Sequence, residues 1–199
     1  AYEFAGSIWV LDTASGQTRK VPIEIPTMAR ETRPYRKAVS DSITKVNISP
    51  QGGRALITAR GEIFTVPAEH GPARNLTQSS GARDRNAAWS PDGERIAYFS
   101  DADGEYQLYV RDPFGVEEPV QLTWRERGWP HTPRWSPDST KIAFTDETLT
   151  LFIIDVASKE TTTVDRAEVE PMDIGLEEKP ISDHSWSPDS RWLTYSKIG

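Results

Sequence analysis

The chain contains no cysteine in 199 residues. That excludes a disulfide framework, a thiolate metal centre and a cysteine nucleophile. Histidine is nearly as scarce: His70, His131 and His184 are the three copies. Each falls in a turn or ahead of a strand, where a surface or hydrogen-bonding role is expected, and no metal site is expected from them. No apolar run approaches the roughly 18 residues needed to cross a bilayer as a helix. No charged-then-apolar leader is visible, although a mature or excised chain would have lost one. The 3.6-residue periodicity of amphipathic helices is missing, as is the G-x-S-x-G elbow of α/β-hydrolases. Positive charge is the minority sign, with 23 Lys and Arg against 30 Asp and Glu for a net charge of -7. A generic role on nucleic acid or an anionic membrane is therefore disfavoured. The lack of cysteine suits the cytoplasm, with the periplasm as the alternative.

What is abundant points to β-structure. Fifteen prolines, 13 glycines and 10% aromatic residues, seven of them Trp, describe a turn-rich all-β chain. Four segments share one pattern: Ile48 to Ala59 (ISPQGGRALITA), Trp89 to Ser100 (WSPDGERIAYFS), Trp135 to Asp146 (WSPDSTKIAFTD) and Trp186 to Lys197 (WSPDSRWLTYSK). Each has an apolar entry, a Ser-Pro turn and an alternating strand. Pro fixes φ at the first central turn position, and Gly or Ser accepts the geometry that follows. In the second copy Ile96, Tyr98 and Ser100 fall on one face of the strand, with Arg95, Ala97 and Phe99 on the other. Successive copies are separated by 41, 46 and 51 residues. Repeats of this length built from four short strands predict the blades of a β-propeller.

The expected organisation follows from the repeats. Residues 1–26 read as closing strands of a preceding blade, and the basic, unpatterned stretch 27–41 as a linker. Residues 42–199 hold blades at 44–77, 84–123 and 130–164, with a final half blade at 184–199 and an acidic insert before it. Three whole blades and two half blades are expected to form part of a six- or seven-bladed ring in a longer protein. A four-bladed ring closed by strand exchange between the two halves is the alternative.

Most candidate chemistry dissolves into architecture. Ser182, Asp183 and His184 are consecutive, and neighbours on a strand point to opposite faces, so they cannot form a relay. No catalytic residue is expected. Asp101, Asp103 and Glu105 only partly match a calcium loop and fit a tight turn better. Asp92, Asp138 and Asp189 recur in every Pro-Asp turn, as a structural requirement does and a single active site does not. Trp89, Trp135 and Trp186 are expected to pack between blades. Arginines are more informative. Arg83 and Arg85 lie 6 and 4 residues before Trp89; Trp129 and His131 hold the same offsets before Trp135, with Arg125 and Arg127 just upstream. In a propeller the innermost strands line the channel, so these arginines are candidates to bind peptide carboxylates at its mouth. Ordinary rim salt bridges with neighbouring acids are the competing expectation.

These hairpins resemble the propeller repeats of TolB and of tricorn-type proteases. The string Ala59 to Thr77 (ARGEIFTVPAEHGPARNLT), with Gly81 to Ser100 and Gly104 to Val110, is similar to the start of the second propeller in tricorn protease homologs. Residues 1–26 resemble the closing strands of that family's first propeller. The resemblance implies a non-catalytic passage that leads peptides to the distant active site of a large serine peptidase. It implies peptides or protein partners at the channel, self-association as an open question, and neither cofactor nor metal. The rivals are a TolB-like protein-binding scaffold and the propeller of a prolyl-oligopeptidase-like enzyme.

Overall fold

A computed structural model describes residues 1–4, 7–23, 38–79, 81–148, 150–167 and 181–197. The chain divides into two compact units, Ala1–Lys37 and Ala38–Gly199. Residues 27–37 of the expected linker and 168–180 of the acidic insert lie outside the described residues.

The first unit is a three-stranded antiparallel sheet of β1 (Tyr2–Phe4), β2 (Ser7–Leu11) and β3 (Thr18–Lys20), paired in that order. The sequence marks strands at Ser7 to Leu11 and from Thr18, on either side of the turn Thr13 to Gln17. The third, β1, pairs Tyr2 with Trp9 and is too short to show alternation in the sequence. The turn between β2 and β3 is closed by Asp12, whose carboxylate accepts from the Ala14 and Ser15 amides at 2.8 and 3.2 Å.

The second unit opens with a 3-10 turn at Ser40–Ser42 and continues as consecutive antiparallel sheets. Blade I comprises β4 (Ile43–Ile48), β5 (Arg54–Ala59), β6 (Glu62–Pro67) and β7 (Arg74–Asn75). Blade II comprises β8 (Asp84–Trp89), β9 (Ile96–Ser100), β10 (Gln107–Arg111) and β11 (Val120–Gln121). Blade III comprises β12 (Arg134–Trp135), β13 (Lys141–Thr145), β14 (Thr150–Asp155) and β15 (Thr161–Arg166). A last pair, β16 (Ile181–Trp186) and β17 (Leu193–Lys197), follows. This is the all-β, four-stranded-blade architecture of a propeller. Among the described residues there is no α-helix, hence none long and apolar enough to cross a membrane.

The repeated turn explains its own residues. In blade II, Ser90 Oγ accepts from the Arg95 amide at 2.9 Å and donates to Asp92 Oδ1, which also takes the Glu94 amide at 2.9 Å. The left-handed position of the turn is Gly52 and Gly93 in the first two copies but Ser139 (φ 60°) and Ser190 (φ 59°) in the next two. Serine is tolerated there because its hydroxyl serves the neighbouring blade. Ser139 Oγ accepts from the Asp92 amide at 3.1 Å, and Ser190 Oγ from the Asp138 amide at 3.0 Å.

Blade II is buried on both sides. All five residues of β9 are buried, whereas alternation alone leaves the outward face undecided. Ile96 and Tyr98 join Leu56, Ile63 and Leu76 of blade I. Ala97 and Phe99 join Trp135, Ile142, Phe144 and Ile154 of blade III. Phe99 and Phe144 meet edge-to-face at 5.4 Å, and each fully buried ring of this kind contributes about 1.5–3 kcal/mol. The repeat tryptophans fill these seams: Trp135 Nε1 donates to Ala88 O at 3.2 Å and Trp186 Nε1 to Arg134 O at 3.1 Å.

Candidate functional site

The first strands of the blades converge, as innermost propeller strands do. Lys45 Nζ on β4 reaches Thr132 Oγ1, ahead of β12, at 2.7 Å. A bulge interrupts each long first strand: β4 between Ile43 and Lys45, β8 between Arg85 and Ala88, and β16 between Ser182 and Ser185. Bulges end regular pairing and re-aim side chains. In β8 the bulge places Asn86 at φ 57°, a left-handed conformation that Asn accepts more readily than most residues.

Beside the bulges of β4 and β8, between blades I and II, lies a cleft of about 700 Å³. Ser42, Thr44 and Lys45 line it from blade I, Arg60 and Gly61 from the β5–β6 turn, and Arg83, Arg85 and Asn86 from blade II. Trp129, from the approach to blade III, closes one wall. Two chain segments cross tightly at Gly61: its carbonyl accepts from the Asp84 amide at 2.7 Å. A Cβ at Gly61, which sits at φ +80°, would lie 3.3 Å from Arg83 Cγ. The glycine thus lets the Arg83 stem lie across the turn.

Arg85 is the most constrained cation. Its guanidinium carbon stands 4.0 Å from the Trp129 ring centroid and 5.3 Å from that of Tyr106. Those two rings meet edge-on at 5.1 Å. The Asn86 amide oxygen, oriented to satisfy both groups, accepts from Arg85 Nε and Nη2 at 3.2 Å. Burial is the main cause drawing the Arg85 guanidinium below its ordinary range; nearby Arg83 adds to this and Tyr106 opposes it. Arg83 is exposed, and its amide donates to Asp101 Oδ1 at 2.5 Å. Among the described residues neither Arg60, Arg83 nor Arg85 forms an ion pair. Asp84, the one carboxylate lining the cleft, is 1% exposed and accepts from Ser79 Oγ at 2.5 Å.

The four arginines singled out by sequence thus separate. Arg83 and Arg85 share the cleft. Arg125 is paired with the fully buried carboxylate of Asp146 and stacks 4.9 Å from the Phe152 ring centroid. Its main chain is held by Gln107, which accepts from its amide and donates to its carbonyl, both at 2.8 Å. Arg127 is exposed and makes no ion pair among the described residues. Lys45 and Arg60 were not singled out by sequence. The repeat offset points only to the neighbours of Lys45, since Ser42 and Thr44 lie 6 and 4 residues before Ile48 as Arg83 and Arg85 lie before Trp89, and it does not mark Arg60.

Other candidates resolve into structure. Asp101 caps the Arg83 amide, Asp103 Oδ2 accepts from Tyr109 Oη at 2.7 Å, and the Gly104 amide closes a turn onto Asp101 O at 2.9 Å. Ser182, Asp183 and His184 occupy consecutive positions of β16. His70 is exposed in the turn after β6, and the His131 amide donates to Thr145 O at 2.7 Å. Among the described residues no group of three or more His, Cys, Asp or Glu is placed to hold a metal ion.

Residues 43–198 match the family described as the tricorn protease second beta propeller domain. The tricorn protease homolog of Saccharolobus solfataricus is 20% identical over 195 residues, covering 98% of this chain and 17% of that protein. Tricorn protease homolog 1 of Streptomyces coelicolor is 24% identical over 204 residues, covering all of this chain and 18% of the relative. The chain therefore spans about a fifth of the length of these relatives. Among solved structures, tricorn protease superposes with a TM-score of 0.63 at 14% identity, over 96% of this chain and 17% of that one. TolB from Acinetobacter baumannii superposes with a TM-score of 0.57 at 20% identity, over 94% of this chain and 42% of that one.

Proposed function

The chain belongs to the tricorn protease second β-propeller family, and on that footing we propose that it is a non-catalytic propeller module of a larger tricorn-type serine peptidase. In this role it guides peptides along the propeller channel to a catalytic region outside these 199 residues. The observation that carries the reading is the basic cleft beside the bulged first strands, where three arginines stand without an ion pair among the described residues, on a chain of net charge -7. A peptide with an exposed carboxylate is drawn to such a cleft by field focusing and held by guanidinium hydrogen bonds. The Trp129 ring supplies contact that does not depend on sequence.

Two measurements test the reading. The isolated chain shows no turnover of short fluorogenic peptides; turnover blocked by a serine-directed inhibitor sinks the proposal. In the parent enzyme, Arg83→Ala with Arg85→Ala lowers kcat/KM for peptides by about tenfold, the equivalent of one charge-assisted contact, and leaves the chain folded. Unchanged kcat/KM in a folded variant returns both arginines to a structural role. Capture of a protein partner with unaltered peptidase activity would instead favour a TolB-like scaffold.

A further inference from the structure

We infer that a second cavity, where the end of blade I meets the outer half of blade II, is a binding site for a guanidinium group such as an arginine side chain carries. It is separate from the arginine-lined cleft and does not depend on the passage reading. The ground is a comparison of two successive repeats.

Between blades II and III the chain fills such a site itself. Arg125 follows the last strand of blade II and lays its guanidinium beside two rings of blade III, 5.7 Å from the Phe144 centroid and 4.9 Å from that of Phe152. Those rings are cross-strand partners on β13 and β14, stacked at 5.3 Å and 25°. Asp146, whose side chain is fully buried, supplies the countercharge. A cation over aromatic faces, closed by a buried carboxylate, is a complete guanidinium site.

Trp89 and Trp135 are 46 residues apart, and the same shift carries each of these positions back one blade. Leu122 and Thr123 become Leu76 and Thr77, held alike: the Leu108 amide donates to Thr123 Oγ1 at 2.8 Å, and the Ile63 amide to Thr77 Oγ1 at 3.2 Å. Phe144 becomes Tyr98, which stacks on its cross-strand partner Tyr109 at 5.8 Å and 21°. Asp146 becomes Ser100, but Ser100 pairs across the sheet with Asp84, a carboxylate only 1% exposed. Side chains so paired stand about 4.5–5.5 Å apart, so the negative charge is kept and displaced by one strand. Arg125 becomes Ser79. The aromatic pair and the buried acid are thus repeated without the cation, and Ser79, Asp84, Tyr98, Ser100 and Tyr109 line a cavity of about 320 Å³.

The charges around this cavity favour a cation. Asp84 accepts from Ser79 Oγ at 2.5 Å and forms no ion pair among the described residues. A buried carboxylate in that position gains most from a charged donor pair. Arg111 also stands on the wall, but its guanidinium is engaged by the carbonyls of Leu76 and Glu117. Glu117 and Glu118 are exposed on the lining and add negative potential. A guanidinium suits the site better than an ammonium, because it is planar, stacks on rings and is more weakly hydrated.

The test is calorimetric titration of the full 199-residue chain with N-acetyl-arginine amide, N-acetyl-citrulline amide and free arginine. Citrulline keeps the length of arginine and replaces the guanidinium with a neutral urea. The arginine amide binds at least about tenfold more tightly than the citrulline amide. Free arginine binding more tightly than the arginine amide assigns the site to a small guanidino compound, and the reverse order assigns it to a peptide or protein side chain. Asp84→Asn removes the preference for arginine over citrulline. Ser79→Arg supplies the guanidinium from within, so it abolishes binding without lowering the melting temperature; it carries the test alone if Asp84→Asn proves poorly folded. Equal binding of the two amides, binding that survives Ser79→Arg, a lowered melting temperature in that variant, or no binding of any of the three compounds overturns the inference.

Discussion

Trp89 and Trp135 occupy the same place in successive repeats and are 8% and 7% exposed, yet their indole nitrogens differ. Trp135 Nε1 donates to Ala88 O, whereas Trp89 Nε1 is buried with no acceptor among the described residues. Replacing either with Phe removes the same atoms, and the common loss of apolar contact costs about 1–2 kcal/mol. Trp135→Phe additionally loses a hydrogen bond with a net value of about 1 kcal/mol and leaves the Ala88 carbonyl without that donor. Trp89→Phe does the reverse: it deletes an unsatisfied N–H whose burial costs about 1–3 kcal/mol. The expected result is that Trp135→Phe is the more damaging by about 2 kcal/mol. Urea unfolding followed by far-UV circular dichroism reads this as a difference in midpoint at constant slope. Thermal scans read it as a gap of about 4–8 °C for a unit of this size. Equal losses, or a larger loss at Trp89, would refute the reasoning that the Trp135 indole is hydrogen-bonded across its seam where the Trp89 indole is only packed.

Asp138 supplies a pH test. Its carboxyl is held down to about 2 from the ordinary 3.8, chiefly by the Ser136 hydroxyl and then by the Thr140 amide and hydroxyl. A depressed carboxyl stabilises the fold above its unfolded value, and that contribution is lost as pH falls through the folded one. The advantage of wild type over Asp138→Asn is therefore complete above about pH 4 and shrinks toward pH 2; a melting-temperature difference that stays constant across that window refutes it. Arg125→Leu strands the Asp146 carboxylate, which keeps only the Thr148 amide and hydroxyl at 3.0 and 2.6 Å and the weaker Thr150 amide at 3.4 Å, and costs about 3–5 kcal/mol. Adding Asp146→Asn recovers most of that loss in a double-mutant cycle, and a loss below about 1 kcal/mol for the single variant would release Arg125 for ligand binding.

The hairpins, their turns and the number of blades were legible because each depends on residues within about ten positions of one another. What depends on the neighbouring blade was not. Serine at the left-handed positions 139 and 190 looks like a poor glycine until the amides of Asp92 and Asp138, 47 and 52 residues earlier, are seen to need acceptors. The Ile96–Ser100 strand alternates by rule, yet both its faces are core because blades flank it on both sides. Arg85 and Arg125 carry the same side chain ahead of successive hairpins. Trp129, 44 residues beyond Arg85, turns one toward a cleft, and Asp146, 21 residues beyond Arg125, locks the other into an ion pair.

The division between constant and variable positions has a physical origin. The Trp, Ser and Asp of each hairpin repeat because every seam between blades poses the same problem: an indole to bury, a turn to close and an amide to satisfy. The residues 6 and 4 places before the first three hairpins do not share that task. They are Ser42 and Thr44, then Arg83 and Arg85, then Trp129 and His131, so successive blades present hydroxyls, guanidiniums and an indole. Arg85 of one blade stacks on Trp129 of the next, and Ser42, Thr44, Arg83, Arg85 and Trp129 line a single cleft. Their composition is free of the Trp-Ser-Asp requirement that fixes the hairpins, so these positions can vary without disturbing the turns that close each blade.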